Sequence, residues 1–218
     1  TLTTTSTASQ NYKKQEGSYF DNYLKYTLDY DKRNKRFKPD DGFLNSFSQN
    51  VPLYSKNNEI RNSFESTKYQ KFSNIVTRFS FYGAAINSLT GDDVRVSKRL
   101  HIPARKLRGF EGGKVGPKEN KDYIGGNYVS TLNFSATLPK LLPSFQNTDI
   151  SYFLDAANSW GIDYDSTLDD KSTIRSATGI AVDIFTPIGP LNLSYSFPIT
   201  KASSDVTESV RFNLGTTF

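Results

Sequence analysis

The 218-residue chain contains no cysteine, no methionine and a single histidine, His101. The lack of cysteine excludes disulfide bonds, zinc–thiolate sites and cysteine catalysis. One histidine excludes histidine-rich metal sites and weakens any reading of a Ser-His-Asp triad. No apolar run approaches the ~20 residues that a membrane helix needs. A helical membrane protein is therefore excluded, whereas a membrane β-barrel is not, because its strands alternate in polarity.

Positive charge is in modest excess, with 27 Lys and Arg residues against 22 Asp and Glu residues. It is concentrated in residues 32–38 and 95–108. Such clusters attract nucleic acid, anionic lipid or simply water. Neither cluster has the interleaved aromatic residues of an RNA-binding module. The composition therefore favours charged loops in water or near lipid headgroups and predicts no nucleic-acid partner.

Polarity along most of the chain alternates with a period of two, which is typical of β-strands. Residues 19–30 place Phe20, Leu24 and Leu28 on one face and Asp21 and Lys25 on the other. Similar segments follow at 43–51, 59–71, 75–87, 128–138, 150–158, 174–184, 191–199 and 210–218. Turn-forming residues separate most of them. The pattern predicts an all-β antiparallel meander of about nine strands.

A soluble β-sandwich and an outer-membrane barrel both produce this alternation. One face here is rich in Ser, Thr, Asn and charge, as in a water-filled lumen, and aromatic residues lie near strand ends, as in interfacial girdles. These features favour the barrel. The lipid-facing set is predicted to be Phe20, Leu24, Leu132, Phe134, Ile180, Val182, Leu193, Tyr195, Phe212 and Leu214. The inward set is Ser135, Asp155, Arg175, Asp183, Asn192 and Asn213.

Residues 88–126 interrupt the alternation with about forty residues that carry no strand pattern, and such loops are either functional or disordered. This loop contains Leu107-Arg108-Gly109-Phe110, then Gly112-Gly113, Gly116-Pro117 and Gly125-Gly126. Glycines permit tight turns and close approach to a wall. An Arg and a Phe held between such turns favour a loop with a defined position.

The motif at 107–110, followed by Gly116-Pro117 and Gly125-Gly126-Asn127, resembles the long-loop motif of the bacterial surface antigen superfamily of assembly and secretion β-barrels. Three further stretches are similar to its BamA-like assembly factors: residues 153–160, residues 186–198 and residues 211–218. The resemblance covers residues 19–218. It implies the C-terminal part of a barrel of about sixteen strands preceded by periplasmic POTRA domains, with residues 1–18 a loop or the end of a preceding strand.

The resemblance also implies site residues. The long loop is expected to fold back into the lumen, where Arg108 of the motif Leu107, Arg108, Gly109 and Phe110 meets a carboxylate that corresponds to Asp155. A second carboxylate of the family aligns with Ser135, whose side chain carries no charge. The closing strand, with Val210, Phe212, Leu214, Gly215 and Phe218, would form one side of a lateral gate.

The implied function is folding and insertion of β-barrel proteins into the bacterial outer membrane, without enzymatic activity, cofactor or metal. The implied partners are unfolded outer-membrane proteins, accessory assembly lipoproteins, and outer-membrane lipid and lipopolysaccharide. Alternatives are a secretion transporter of the same superfamily, a passive porin and a soluble carbohydrate-binding sandwich. Nearby, Asp163, Asp165, Asp169 and Asp170 are interpreted as a solvated loop rather than a calcium site, because the EF-hand Gly and Glu are missing.

Nine strands of a larger barrel leave two edges, one at residues 19–30 and one at residues 210–218. Lipid cannot satisfy the free N–H and C=O groups of such edges. We therefore expect further strands, another chain or an unusual small closed barrel to cover them. Direct pairing of the first and last strands would contradict the half-barrel interpretation.

Overall fold

A computed structural model describes residues 1–55, 58–138, 147–168, 173–186 and 189–214. Within these residues, one antiparallel sheet has nine strands whose spatial order follows the chain. They are β1 (Asp21–Asp31), β2 (Gly42–Ser55), β3 (Glu59–Phe72), β4 (Ile75–Ser88), β7 (Tyr128–Thr137), β8 (Thr148–Trp160), β9 (Arg175–Thr186), β10 (Gly189–Thr200) and β11 (Val210–Leu214). The predicted all-β meander of about nine strands is confirmed. No helix in the described ranges is long and apolar enough to cross a membrane.

The two faces of the sheet differ as the alternation predicts. On the outer face, large apolar side chains stay exposed: Phe20, Leu24, Leu132, Ile180, Leu193, Tyr195, Phe212 and Leu214. Phe134 and Val182 share this face, because they lie directly opposite the exposed Leu154 and Leu193. The predicted apolar set therefore points away from the protein interior, and a core between two sheets, which a soluble sandwich requires, is absent from the described residues.

The inner face carries the polar set. Asp155 and Arg175 are fully buried, and the Asn192 side chain donates to Asp183 across a 2.7 Å hydrogen bond. Asn213 lies opposite Asn192 in the register, and Ser135 lies opposite the buried Phe153.

The long loop between β4 and β7 packs against this inner face. The sequence predicts no strands in residues 88–126, and this is wrong in one detail. β5 (Lys118–Glu119) and β6 (Asp122–Tyr123) pair as a two-stranded ribbon. Two 3₁₀ helices, Val96–Lys98 and Ala104–Lys106, shape the rest. The ribbon is too short for alternation to reveal it, since two residues per strand give no repeat.

Residues 1–18 contain one short helix, α1 (Gln10–Lys14), and an isolated bridge between Leu2 and Gly17. This segment was expected to be a loop or the end of a strand. Its Ser9 amide donates to Asp122 Oδ2 at 2.8 Å, and its Gln15 side chain accepts from the Val96 amide at 2.7 Å. The segment therefore packs on the long loop.

The sheet has two open edges in the part of the chain that is described. β1 pairs with β2 alone and β11 with β10 alone, so the first and last strands are not hydrogen-bonded to each other. The half-barrel interpretation is not contradicted. Both edges keep a row of backbone groups without a partner strand within these residues.

Candidate functional site

The ion pair between Arg108 and Asp155 lies at the centre of the contact between the long loop and the inner face. Arg108 Nε donates to Asp155 Oδ2 and Nη2 to Oδ1, each at 2.7 Å, which is a bidentate pair. The Arg108 amide adds a 3.1 Å bond to the same carboxylate, and Asn133 donates to it from β7 at 2.8 Å. Asp155 is fully buried, so these donors replace its lost hydration. The predicted contact is present.

The Arg108 guanidinium also stacks on Phe153, with Cζ 3.6 Å from the ring centroid. Phe153 lies opposite Gly179 in the register of β8 and β9. A Cβ at Gly179 would come within 2.8 Å of the Phe153 ring and 2.0 Å of the Tyr195 carbonyl oxygen. Glycine at this position therefore gives the ring the space to lie against the sheet as a platform for the arginine.

Gly109 allows the loop to approach the wall closely. Its φ of +87° lies in the left-handed region, and a Cβ there would be 3.0 Å from Ala177 Cβ and 3.3 Å from Ser196 Cβ. Beside it, the Phe110 ring is almost completely buried and Leu107 equally so. The motif thus combines one charged contact with two apolar anchors, Leu107 and Phe110.

An apolar core fills part of the space under the loop, where the sequence predicted a wet lumen. Loop side chains pack against small residues of the wall in a cluster of Ala84, Ile86, Val94, Leu100, Ile102, Leu107, Phe110, Val115, Val129, Ala157 and Ala177. Alanine at the wall positions leaves room for the larger loop residues. The inner face of the strands is mostly polar in sequence, and its few alanines gave no signal that they form an apolar surface under the loop.

Four basic residues of the cluster 95–108 pair with carboxylates of the wall, Arg95, Lys98, Lys106 and Arg108, which corrects the interpretation of these four as solvated charges. Arg95 donates to Asp21 of β1 at 2.8 and 2.9 Å and to Glu59 of β3 at 3.2 Å. Lys106 reaches Glu65 of β3 at 2.6 Å. The partners are far away in sequence, so only the fold brings them together.

A further contact joins the buried Arg99 of the long loop to the exposed Asp163 in the segment after β8. Asp163 also accepts from the Val94 amide at 2.9 Å and from Asn127 at 3.0 Å. Burial raises the pKa of this carboxyl, but the hydrogen bonds from Val94, Asn127 and Arg99 outweigh burial and hold its pKa below the usual value. Asp163 is therefore part of the loop anchor while it stays exposed to solvent, as its interpretation as a solvated loop residue expects.

The segment 201–209 and the last strand carry two contacts that sequence reasoning missed. Arg175 of β9 pairs with Asp205 through bonds of 2.9 and 3.1 Å, and both side chains are fully buried. Arg211 of β11 donates to the carbonyl oxygens of Ala104 and Phe110 in the long loop. The only available signal was the placement of Arg175 on the inner face, which identified a buried charge without its partner.

The other predicted site residues are not all brought together. The hydrogen bonds that the structure describes for Arg108 go to Asp155, and Ser135 is not among their acceptors. Val210, Phe212 and Leu214 form the exposed outer face of β11. Gly215 and Phe218 lie outside the described residues.

The second basic cluster, residues 32–38, forms the connection between β1 and β2. Three of its cations have acidic partners: Arg33 with Asp31, Lys35 with Asp40 and Lys38 with Asp149. The cluster is therefore partly neutralised by its own neighbours.

An outward apolar face, a polar inner face and a loop seated on that inner face define an integral β-barrel protein of the outer membrane. The Omp85 superfamily domain matches residues 2–218. The chain belongs to the Omp85 superfamily.

Similar proteins agree with this class. The chain is 32% identical to the outer membrane protein assembly factor BamA of Neisseria meningitidis serogroup B, with 51% of this chain and 17% of that protein covered. It is 24% identical to a SAM50-like protein of Schizosaccharomyces pombe, with 62% and 30% covered. The crystal structure of BamA from Haemophilus ducreyi lacking POTRA domains 1–3 is similar, with a TM-score of 0.80, 26% identity, and 87% of this chain and 41% of that chain covered.

The resemblance to BamA-like barrels is thus confirmed. The chain spans less than half the length of each of these three relatives.

Proposed function

We propose that this chain is the barrel region of a BamA-type insertase, which folds β-barrel proteins and inserts them into the bacterial outer membrane. The observation that carries this proposal is the short edge strand β11, which pairs with β10 through five residues in the part of the chain that is described. Membership of the Omp85 superfamily and the similarity to BamA proteins also support the proposal.

An unpaired strand edge in lipid is unstable, because its N–H and C=O groups have no water to bond with. An incoming strand of an unfolded client satisfies these groups by adding to the sheet, which is β-augmentation. The outer side chains Val210, Phe212 and Leu214 already face lipid, so the client strand would enter directly at the membrane. In the proposal Gly215 and Phe218 extend this gate strand.

The seated loop supports the same role. Arg108, held by Asp155 and Phe153, fixes the loop across β7, β8 and β9, on the inner side of the wall that leads to the gate. Ser135 is assigned no contact of its own in this arrangement. The proposed action is binding and release of backbone, so it requires no enzymatic step, cofactor or metal. The proposed partners are unfolded outer-membrane proteins, accessory assembly lipoproteins, and lipid and lipopolysaccharide.

The test is site-specific photo-cross-linking in the full-length protein, reconstituted in lipid vesicles and supplied with an unfolded barrel client. Asn213→benzoylphenylalanine in β11 is expected to capture the client's terminal strand. Asn192→benzoylphenylalanine is the matched control, because Asn192 is the register partner of Asn213 in β10 and lies one strand away from the edge. Client folding into the vesicles is measured in parallel.

Two results would contradict the proposal. Equal capture at both positions would show that the edge is not the entry point. Steady ion conductance without client capture or folding would instead identify a passive porin, and export of a soluble client into the vesicle medium would identify a secretion transporter.

A further inference from the structure

We propose that the segment 201–209 and residues 109–114 of the long loop form a latch that holds the last strand closed, with Arg211 as its positioning residue. This inference rests on the proposed function, because it describes how the gate strand is regulated. It concerns the end of β11 that begins at Val210, next to the long loop.

Backbone pairing is the first observation. Phe110 and Thr207 form an antiparallel bridge outside the main sheet. Around it, the Glu111 amide donates to the Val206 carbonyl at 2.9 Å, and the Val206 amide donates to the Lys114 carbonyl at 3.1 Å. The Glu208 amide donates to the Gly109 carbonyl at 3.1 Å. The long loop is therefore joined by backbone hydrogen bonds to the residues that lead directly into β11.

The second observation is the position of the Arg211 guanidinium. It donates to the carbonyl oxygens of Ala104 and Phe110 in the loop, and at 2.6 and 2.9 Å to Glu208 in the segment before β11. Arg211 is largely buried although its neighbours Val210 and Phe212 are exposed. One side chain of the gate strand thus bonds to both halves of the latch.

The third observation fixes the latch to the wall. Asp205 accepts two bonds from Arg175 of β9, and it also accepts from the Gly116 amide of the long loop at 3.3 Å. The Arg175 and Asp205 side chains are fully buried. Segment 201–209 is consequently held between a wall strand and the loop.

These contacts couple the loop to the gate. β11 has five described residues and pairs with one strand, so sheet hydrogen bonds alone hold it weakly. Movement of β11 away from the barrel at its Val210 end breaks the latch, and breaking the latch frees β11. Attachment of the loop at Arg108 and closure of the gate are then thermodynamically coupled, so that a change in one shifts the equilibrium of the other.

The first test locks the latch covalently in the full-length protein. Glu111 and Val206 follow the Phe110–Thr207 bridge in antiparallel register, both are exposed, and the chain has no cysteine of its own. Oxidised Glu111→Cys/Val206→Cys is expected to lose client folding in vesicles, and reduction is expected to restore it. The control, Thr77→Cys/Ala136→Cys, joins register partners of β4 and β7 away from the gate and is expected to fold clients in both states.

Unchanged client folding by the fully oxidised latch pair would overturn the latch. Failure of the parent protein and the reduced pair to fold any client would overturn the proposed function instead, and the second test would then still decide the latch.

The second test measures hydrogen exchange and needs no client. Arg211→Gln is expected to speed exchange of the Glu111, Val206 and Glu208 amides about tenfold, because bonds to a charged donor are lost. Amides in the centre of β7 and β8 are expected to keep their rates. Arg211→Lys restores the charge opposite Glu208 but has no fork to span two carbonyls, so partial recovery is expected. Lys201→Gln, an exposed cation of the same segment, is the matched control. Unchanged exchange in Arg211→Gln refutes the positioning role.

Discussion

Replacing Arg108 by alanine tests the anchor of the long loop most directly. The substitution removes two charge-assisted bonds of 2.7 Å and the stacking on Phe153, and it leaves a carboxylate that is fully buried. Two donors to Asp155 remain, the backbone amide of residue 108 and Asn133. Breaking a buried pair costs roughly 3–5 kcal/mol, and the remaining donors place this site near the lower end, at about 3 kcal/mol.

This cost of breaking the Arg108–Asp155 pair is larger than the cost expected for an ion pair in a water-filled lumen. Exposed pairs contribute at most about 1 kcal/mol, but Asp155 has no access to solvent here. A loss of about 3 kcal/mol increases the detached population of the loop roughly a hundredfold. The sheet itself keeps its register contacts, so we expect a folded barrel with a loosened loop and slower client insertion.

The assay is hydrogen exchange across residues 107–110 in the full-length protein, together with the rate of client folding in vesicles. Arg108→Lys is expected to behave closer to alanine than to the parent, because an ammonium cannot form the bidentate pair. Lys121→Ala changes an exposed cation of the same loop and serves as the control. Exchange at 107–110 that stays at the parent rate in Arg108→Ala, or full rescue by lysine, would refute the reasoning.

Two further predictions concern the fit of the loop and its pH dependence. Gly109→Ala is expected to destabilise the attachment of the loop to the wall by about 2–4 kcal/mol, from strain at φ +87° and from crowding against Ala177. Adding Ala177→Gly to the same chain should relieve the crowding but not the backbone strain. Equal protease resistance of the loop in the parent and in Gly109→Ala would argue against this prediction. The pKa of Asp163 is lowered from 3.8, so its stabilising effect is complete above that pH and is lost as the pH falls through the lower folded value. Exchange of the Val94 amide should therefore rise on acidification below about pH 3.8, relative to Asp163→Asn, and an identical pH dependence in both proteins would exclude Asp163 as the cause.

The strands and their two faces were predictable from the sequence because side chains alternate with a period of two, and that signal is local. The exposed Leu24, Ile180 and Phe212 were assigned to the outer face on this ground, and the structure agrees. The contact of Arg108 with Asp155 was predicted from the resemblance of motifs, since no local rule joins residues 47 positions apart. The alternation of polarity and the resemblance of motifs were therefore sufficient to predict the sheet and the ion pair between Arg108 and Asp155.

The other contacts between the long loop and the sheet could be identified only from the tertiary structure. Arg95 has partners on β1 and β3, and Arg211 bonds to backbone carbonyls that carry no sequence signal at all. The apolar core under the loop depends on alanines such as Ala177, whose significance appears only when a large side chain lies above them. Long-range contacts of this kind depend on which surfaces the folded sheet brings face to face, and alternation along a single strand does not contain that information.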